Sequence, residues 1–343
     1  MDKLQLSVVI IGRNEGERLE NCIRSVQAMN DPPSGIEIIY VDSDSTDGSP
    51  ERAKALGVRV IKVHPQRPAA AIGRNAGWQA AQAPLVLFLD GDTLLHPDFV
   101  KVAISSLQEN PQIAVVCGQR REQYPQHSIY QRVLDLEWIF LPGISEFCGG
   151  DALMRRQILE EIGGYNPELI AGEEPEMCQR IRVKGYQILH LDHPMTLHDL
   201  TMTRWSQYWR RAVRSGYAFA EIPNLLCHSP LYPLYLEKIG GILWQKDARK
   251  NLVHATALIG LFILGGITSG LLKSFIPLGI SLLLFLLLSV RTAWKARWKS
   301  NNWVTLLLYG LHSQFQHIPI ALGQLSYYFH QWHNQRRRLI EYK

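Results

Sequence analysis

The sequence predicts an α/β protein whose amino-terminal part is a doubly wound, mostly parallel sheet with flanking helices. Apolar strand-like runs alternate with helical stretches from residue 6 to about 119, which is typical of parallel strands joined by helices. Polar turns rich in Gly and Asp follow three of the runs, at 12–16, 42–48 and 90–93. Because parallel strands end at the same edge, these turns should form one ligand-binding rim. A long apolar tail follows, which predicts transmembrane or interfacial helices.

The strand-like runs are short and rich in Val, Ile and Leu, as strands buried on both faces are. They are Leu6–Ile11, Ile36–Val41, Val58–Val63, Leu85–Leu89 and Ile113–Val116. The helical stretches between them are Glu17–Met29, Ser49–Leu56, Ala69–Ala81 and Pro97–Gln108. Beyond residue 120 the pattern is less regular. It predicts strands at Gly149–Met154 and Gln187–Leu191, and helices at Arg156–Ile162, Pro175–Val183 and Arg204–Ala220.

The charge of the 343-residue chain is unevenly divided. Residues 246–343 carry twelve Lys/Arg and two Asp/Glu, a net charge of +10, and because the whole chain has +5, residues 1–245 carry −5. The basic residues flank apolar stretches and form no stripe with interleaved aromatics, which argues against a nucleic-acid binder. A mildly acidic front and a basic, apolar tail indicate a soluble domain on a membrane anchor.

The cysteines indicate a reducing compartment. Five are present, widely spaced and without a CxxC pair: Cys22, Cys117, Cys148, Cys178 and Cys227. This pattern favours free thiols over a disulfide framework or a zinc site. The chain also enters a strand-like run at Leu6 without a signal peptide. We therefore expect the front domain to stay in the cytosol.

The tail contains two apolar segments, Leu252–Leu272 and Ser274–Val290, separated by Lys273. A membrane span needs about 20 apolar residues, so the first is long enough and the second slightly short. Basic residues precede and follow the pair, which under the positive-inside rule places both ends in the cytoplasm. The pattern predicts a transmembrane hairpin at 252–290, and the alternative is two core helices of a soluble domain.

The segment from Trp303 to Tyr328 is apolar but contains several His and Gln residues. As a third span it would place Arg336–Arg338 outside the cell, against the charge rule. It is therefore interpreted as an amphipathic or re-entrant segment at the cytoplasmic interface. The resulting domain boundaries are 1–222 for the catalytic domain, 223–251 for an interfacial linker, 252–290 for the hairpin and 291–343 for the basic C-terminal segment.

Residues 85–92 run from five apolar side chains directly into Asp90-Gly91-Asp92. Two carboxylates at the carboxyl end of a buried strand can converge on one point, since Gly91 lets the backbone bend. Mg²⁺ and Mn²⁺ prefer such oxygen ligands and commonly bind together with substrate phosphates. The alternative is a pair of solvated turn aspartates.

Seven motifs stand in a fixed order along the chain, and together they carry a family resemblance. They are Ser7–Glu15, Val41–Ser49, Gly73–Gly77, Asp90–Asp92, Phe147–Arg156, Gly163–Asn166 and Gly172–Arg180. The series resembles glycosyltransferase family 2, inverting nucleotide-sugar enzymes with a Rossmann-like GT-A fold, over roughly residues 5–215. The tail is not part of the common family core.

The resemblance implies roles for the donor-binding residues. Asp42 matches the position that contacts the nucleoside, with an Asx-turn as the alternative, and Glu15 matches the first-loop acid near the base and ribose. Arg74 could pair with the diphosphate, or be a solvated helix arginine. Asp90 and Asp92 match the family DxD, in which the second Asp binds Mg²⁺ or Mn²⁺ and the first contacts ribose or metal. Asp151 lies where the family shapes the sugar pocket.

The base of an inverting transferase must reach the acceptor hydroxyl. Family members supply it as the Asp of a Glu-Asp pair that opens a helix, and the pair here is Glu173-Glu174. The resemblance therefore implies Glu174 as the base, with Glu173 as the other choice and a helix-dipole role as the structural alternative. His198 is interpreted as structural.

These observations predict a membrane-anchored, metal-dependent inverting glycosyltransferase at the cytoplasmic face of the plasma membrane. It would move one sugar from a UDP- or GDP-linked donor to the hydroxyl of a lipid-linked acceptor. Arg204-Trp205 matches the end of a processive-synthase signature, but Thr201 replaces its Gln, which favours single transfer. The alternatives are a polyprenyl-phosphate sugar synthase, an inactive nucleotide-sugar-binding partner of another membrane enzyme, and a sugar nucleotidyltransferase, whose opening loop the sequence matches poorly.

Overall fold

The computed structural model describes residues 4–335 and divides the chain into two compact units. The first unit comprises the residues up to 123 together with 138–200 and 226–243. The second comprises 124–137, 201–225 and the residues from 244 onward. Each unit is therefore assembled from segments that are distant in sequence.

The strands are β1 (Leu6–Gly12), β2 (Ile36–Asp42), β3 (Arg59–Lys62), β4 (Leu85–Asp90), β5 (Thr93–Leu95), β6 (Ile113–Glu122), β7 (Gly143–Ser145), β8 (Ala152–Arg155) and β9 (Gln187–His198). The helices are α1 (Glu17–Gln27), α2 (Ser49–Ala55), α3 (Ala70–Ala80), α4 (Phe99–Glu109), α5 (Ile129–Glu137), α6 (Arg156–Ile162), α7 (Glu173–Val183), α8 (Trp205–Cys227), α9 (Tyr232–Ile239), α10 (Gln245–Leu272), α11 (Ile276–Lys295), α12 (Trp303–Phe315) and α13 (His317–Trp332). A short 3₁₀ helix occupies Arg297–Lys299.

The first unit is built on one sheet with the strand order β3-β2-β1-β4-β8-β6-β9-β5, and β7 pairs with β9. The run β3-β2-β1-β4 is parallel, as the alternation of strands and helices predicts. In register, Gly12 of β1 pairs with Asp42 of β2, and Ile11 pairs with Asp90 of β4. The three strands therefore end at one edge, where the polar rim was expected.

The second half of the sheet is mixed. β8 runs antiparallel to both β4 and β6, β9 runs parallel to β6, and β5 and β7 are antiparallel to β9. Two strands are longer than predicted: β6 continues to Glu122 and β9 to His198. Their extensions carry polar residues, and their pairing shifts register near Cys117–Arg120, so local apolarity did not reveal them. The predicted strand at Gly149–Met154 is shorter, and β5, β7 and α5 were not predicted.

The core of the first unit covers both faces of the sheet, because Leu6–Ile11 of β1 are all buried although adjacent residues point to opposite faces. Helix α3 packs very close to β1. A Cβ added to Gly77 of α3 would lie 2.1 Å from Val9 Cγ1, so only glycine fits there. Arg74 lies one turn earlier on the same helix, and this close approach brings it to the edge where β4 ends.

The second unit contains two helices that are long and apolar enough to cross a membrane, α10 and α11, each with a mean hydropathy of 2.0. They pack against each other as a helical hairpin. In the most apolar 18-residue stretch of each helix, only 11% is buried in α10 and 17% in α11. Core helices of a soluble domain are buried much more completely. Helix α10 contains the predicted segment Leu252–Leu272 but begins earlier, at Gln245. Helix α11 begins at Ile276, two residues after the predicted start at Ser274, and continues past Val290 to Lys295.

The segment 303–328 forms two helices, α12 and α13, which the sequence pattern did not separate. Neither reaches the length and hydropathy of a membrane span, and α10 and α11 alone do so among the described residues. Its assignment as an amphipathic or re-entrant segment stays a prediction, as do the four domain boundaries. Arg336–Arg338, on which that assignment partly depends, lie outside the described residues.

Candidate active site

The DxD segment leaves the sheet through a tight glycine turn. Asp90 is the last residue of β4, and the N–H of Gly91 donates to Ile11 O at 2.8 Å. A Cβ at Gly91 would lie 3.2 Å from that oxygen and 3.1 Å from Glu15 Cγ. A larger residue would therefore push the loop away from β1. The same contact places Glu15 beside the DxD.

Asp90, Asp92 and His198 form a cluster that could hold a metal ion. One ligand atom from each lies within 4.8 Å of the others. Asp92 and His198 are both buried, and His198 Nε2 is 3.3 Å from Asp92 Oδ1. Their position follows from strand pairing, because Thr93 of β5 pairs with His198 of β9. Two carboxylates and an imidazole suit Mn²⁺ well, and Mg²⁺ less because it prefers oxygen alone.

The state of His198 also fits metal binding. Burial, followed by the positive charge of Arg120, lowers the pKa of His198 to about 3, so the imidazole is neutral, which is the metal-binding form. Its Nδ1 is buried and has no hydrogen-bond partner within residues 4–335. Sequence reasoning interpreted His198 as structural. No local pattern marks it, because the pairing that brings it to the DxD joins residues about a hundred positions apart.

The Arg74 guanidinium contacts three carboxylates, and the residue is only 2% exposed. Its Nη2 donates to Asp90 Oδ1 at 2.9 Å, and its Nη1 donates to Glu173 Oε1 at 2.7 Å and lies 3.0 Å from Glu174 Oε1. The guanidinium thus joins the DxD to the acidic start of α7. Its expected role toward the diphosphate stays a prediction, but in this structure its charge is directed to the protein's own acids.

Glu173 and Glu174 open α7 after Gly172, which adopts the left-handed conformation (φ 79°) that glycine tolerates best. The Glu173 side chain is 6% exposed and that of Glu174 is 16% exposed. Burial and the adjacent Glu173 carboxylate raise the pKa of Glu174 to about 7, although Arg74 opposes the shift. Glu174 is thus the more accessible of the two, with a pKa matched to proton transfer near neutrality.

Asp151 is buried and holds the DxD strand in place. Its Oδ1 accepts the N–H of Asp90 at 3.1 Å, and its Oδ2 accepts the Thr196 hydroxyl at 2.7 Å. The predicted contact of Asp151 with a sugar hydroxyl is not tested by these bonds.

Two further residues, which the sequence did not predict, lie near Asp90. Arg120 Nη2 is 3.4 Å from Asp90 Oδ2, and the Arg120 guanidinium stacks 5.0 Å from the Trp138 ring.

The residues expected at the nucleoside lie at the same edge. Asp42 ends β2 and is buried; it accepts the Tyr40 hydroxyl and the Ser45 N–H, both at 2.9 Å. The Ser45 bond joins the Asp42 side chain to a backbone N–H three residues on, so it is a local turn bond but not the Asx-turn that was the alternative to binding. Glu15 pairs with Arg18 at 2.7 Å. The structure thus brings all the predicted site residues to one edge of the sheet, while their individual roles stay predictions.

Comparisons with known proteins agree with this geometry. The sequence profile described as Glycosyl transferase family 2 matches residues 7–163. Glycosyltransferase AglE of Haloferax volcanii is 23% identical over 53% of this chain and 63% of its own length. A β-monoglucosyldiacylglycerol synthase of a Nostoc species is 24% identical over 60% of this chain and 47% of its own length. The chain thus spans about half to two thirds of the length of these curated relatives.

Among solved structures, a mannosyltransferase from Pyrobaculum calidifontis, in complex with GDP-Man and Mn²⁺, superposes with a TM-score of 0.60 and 16% identity. The match covers 94% of this chain and 87% of that one. At this identity the likeness concerns the fold, which is GT-A. The family profile, with which the order of the seven motifs agrees, assigns residues 7–163 of this chain to glycosyltransferase family 2.

Proposed function

We propose that this protein is a membrane-anchored, metal-dependent inverting transferase that moves a single sugar from a UDP- or GDP-linked donor to the hydroxyl of a lipid-linked acceptor. The observation that carries the proposal is the juxtaposition of two groups at one edge of the sheet. The Asp90–Asp92–His198 cluster suits a cation, and Glu174, with a pKa raised to about 7, suits a base. Arg74 joins them, since it lies within 3.0 Å of both Asp90 and Glu174.

The metal cluster and Glu174 would act on different parts of the reaction, the leaving group and the acceptor. Asp90, Asp92 and His198 would hold Mn²⁺ or Mg²⁺, which when bound neutralises charge on the departing nucleoside diphosphate. Asp42 and Glu15 would position the nucleoside. The Glu174 carboxylate would accept the proton of the acceptor hydroxyl as its oxygen attacks the anomeric carbon from the face opposite the leaving group. Glu173, more buried and hydrogen-bonded to Arg74, would hold that guanidinium in place.

The acceptor and the location are inferred from the second unit and from one relative. Helices α10 and α11 have the length and hydropathy of spans, and basic residues flank the pair at Lys246, Arg249 and Lys250 and again from Arg291 to Lys299. This distribution favours a plasma-membrane hairpin with a cytoplasmic catalytic domain at 1–222. A relative named a β-monoglucosyldiacylglycerol synthase acts, by its name, in glycolipid synthesis. Two candidate spans also favour single transfer over a polymer channel.

The test is a transfer assay on the full chain in detergent, with radiolabelled UDP- and GDP-sugars, Mn²⁺ and a total membrane lipid extract. We expect label in the organic phase with one donor class, and none when EDTA replaces Mn²⁺. The Asp90→Asn, Asp92→Asn double variant is the matched negative control. Label that appears only in water-soluble products would exclude a lipid-linked acceptor.

A further inference from the structure

Residues 163–166, Gly-Gly-Tyr-Asn, form one of the seven motifs, and no step of the proposed chemistry uses them. They follow α6 as a turn in which Gly163 and Gly164 have positive φ angles of 75° and 71°. A Cβ at Gly164 would lie 2.5 Å from Trp78 Nε1 and 2.6 Å from Asn75 Oδ1. Only glycine fits there, so the turn packs directly against helix α3.

Asn75 of α3 holds the backbone of Tyr165 through two hydrogen bonds. Its Nδ2 donates to Tyr165 O at 2.8 Å, and its Oδ1 accepts the Tyr165 N–H at 2.9 Å. The same Oδ1 also accepts the indole N–H of Trp78 at 2.9 Å. Because Trp78 fixes the amide and the amide fixes residue 165, helix α3 determines where the Tyr165 ring lies.

The Tyr165 ring lies between the strand that leads to the DxD and the Arg74 guanidinium. It is buried and packs edge-to-face with Phe88 of β4, with centroids 5.4 Å apart. Arg74 Cζ lies over the ring, 5.6 Å from its centroid. A cation at this distance is attracted to the ring face, most strongly where water is excluded. Burial raises the pKa of Tyr165 well above its usual value, so the ring is neutral.

The carboxylates around Arg74 contact only its terminal nitrogens, which reach Asp90, Glu173 and Glu174. The Nε of Arg74 is buried and has no hydrogen-bond partner within residues 4–335. The Tyr165 ring therefore adds a contact at the central carbon of the guanidinium that the carboxylates do not provide. A shift of the guanidinium would change the position of Glu174 relative to Asp90, because Arg74 contacts both.

We propose that Tyr165 is a positioning residue of the transfer reaction, whose ring holds the Arg74 guanidinium where it fixes Glu174 relative to the DxD. This inference rests on the proposed function. A misplacement of about 1 Å can cost about 10² in rate even when the changed residue is far from the chemistry. Tyr165 acts through Arg74 and contacts no reactant, so loss of its ring should lower kcat and leave the donor KM unchanged.

The test compares three variants of the full chain in detergent. Tyr165→Leu removes the ring, whereas Tyr165→Phe keeps it and removes only the hydroxyl, which lies 3.9 Å from Met154 Sδ. Phe99→Leu is the matched control, since it removes another fully buried ring of the first unit, on α4. Each protein is assayed for kcat and donor KM with labelled donor and whichever extract, lipid or water-soluble, the wild type labels. Thermal unfolding gives the stability of each.

We expect Tyr165→Leu to lower kcat about 10–100-fold, as misplacement of a catalytic group predicts, with the donor KM unchanged. Tyr165→Phe should keep the wild-type kcat, because the ring remains over Arg74. Phe99→Leu should lower the unfolding midpoint as Tyr165→Leu does, but its folded fraction should keep the wild-type kcat.

A wild-type kcat in Tyr165→Leu, or an equal loss of kcat in Tyr165→Phe or Phe99→Leu, overturns this inference and leaves the proposed function standing. If Tyr165→Leu does not fold, Asn75→Ser replaces it, because it releases the Tyr165 backbone and keeps the ring. That variant should also lose kcat at an unchanged donor KM, and a wild-type kcat would overturn the inference. A wild type that transfers no sugar overturns both.

Discussion

The sheet of the first unit and the α10–α11 hairpin of the second bury opposite kinds of residues. In β1, Leu6, Val8 and Ile10 are fully buried. In α11 the leucines of Leu282–Leu288 are 42–56% exposed, while Ser281 and Ser289 are buried. The Ser281 hydroxyl donates to Leu261 O on α10 at 3.0 Å. Small and polar residues at a helix contact, with leucines outside, are typical of helices in a bilayer.

The two regions also differ in where they tolerate charge. The hairpin has no charged residue from Leu252 to Leu272. The first unit is different, since at its sheet edge it buries a guanidinium among three carboxylates. Burying such a cluster is costly unless every charge is paired. Its presence at the one edge where the DxD, Glu174 and Asp42 meet therefore indicates function and not only stability.

Glu174→Gln should have the largest effect of the variants considered, on the rate of transfer. It tests whether the charged edge of the sheet is the site of catalysis. Loss of a general base lowers kcat by about 10²–10⁴-fold, and donor binding should remain. In the wild type, kcat/KM should rise tenfold per pH unit up to about pH 7 and then level off, because only ionised Glu174 acts as a base and its pKa is about 7. Stopped-time transfer assays across pH 5–9 measure both.

Glu173→Gln is the control for this prediction. Its more buried carboxylate should matter less for kcat, and the inflection should persist but move below pH 7, because the Glu173 charge is one of the causes of the raised Glu174 pKa. If Glu174→Gln kept the wild-type kcat, the acceptor would need no base, and the polyprenyl-phosphate sugar synthase would become the better interpretation.

The second largest expected effect is a loss of folding stability when Arg74 is replaced. Arg74→Gln leaves Asp90, Glu173 and Glu174 without their buried cation, and breaking a buried charge cluster in this way costs about 3–5 kcal/mol. Lys101→Gln is the control, because Lys101 and its partner Asp31 are both exposed and should contribute little. Thermal unfolding of the full chains in one detergent compares the two. Equal midpoints would mean that Arg74 does not hold the three carboxylates together.

A weaker effect is expected in the hairpin. A Cβ at Gly265 would lie 2.3 Å from Ser281 Oγ, whereas one at Gly266 would meet nothing within 4 Å. Gly265→Leu should therefore separate α10 from α11 and cost about 1–3 kcal/mol, as overpacking does, while Gly266→Leu should not. Unfolding in SDS titrated into detergent micelles would show the difference. Equal loss in both variants would contradict the close contact of α10 with α11 at Gly265.

The glycines also show how far the sequence could predict this contact. The GxxxG pattern of Gly266 and Gly270 indicates close helix packing, but neither residue has a neighbour within 4 Å of an added Cβ, and Gly265 makes the contact instead. Hydropathy located the two helices because it sums over many residues. It did not locate the contacting face, since Leu252–Leu272 has no charged residue that would distinguish one side of the helix from the other.

The sheet was more predictable than the site. Runs of Val, Ile and Leu located β1, β2 and β4, and chain order alone brought Asp42 and Asp90 to one edge. Chain order did not predict the positions of His198, Arg120 and Trp138. These residues lie near the DxD because the polar ends of β6 and β9 pair with each other over long sequence separations. The burial of Arg74 likewise depends on α3 packing against β1 at Gly77.

The metal dependence of donor binding tests the proposed role of the DxD most directly. Thermal-shift titrations of the full chain with UDP- and GDP-sugars, with and without Mn²⁺, would compare the wild type with Asp92→Asn. We expect one donor class to stabilise the wild type only when Mn²⁺ is present, through binding-linked stabilisation, and to leave Asp92→Asn unchanged. Equal stabilisation of the wild type without Mn²⁺, or of Asp92→Asn with it, would contradict the claim that these acids bind the donor through a cation.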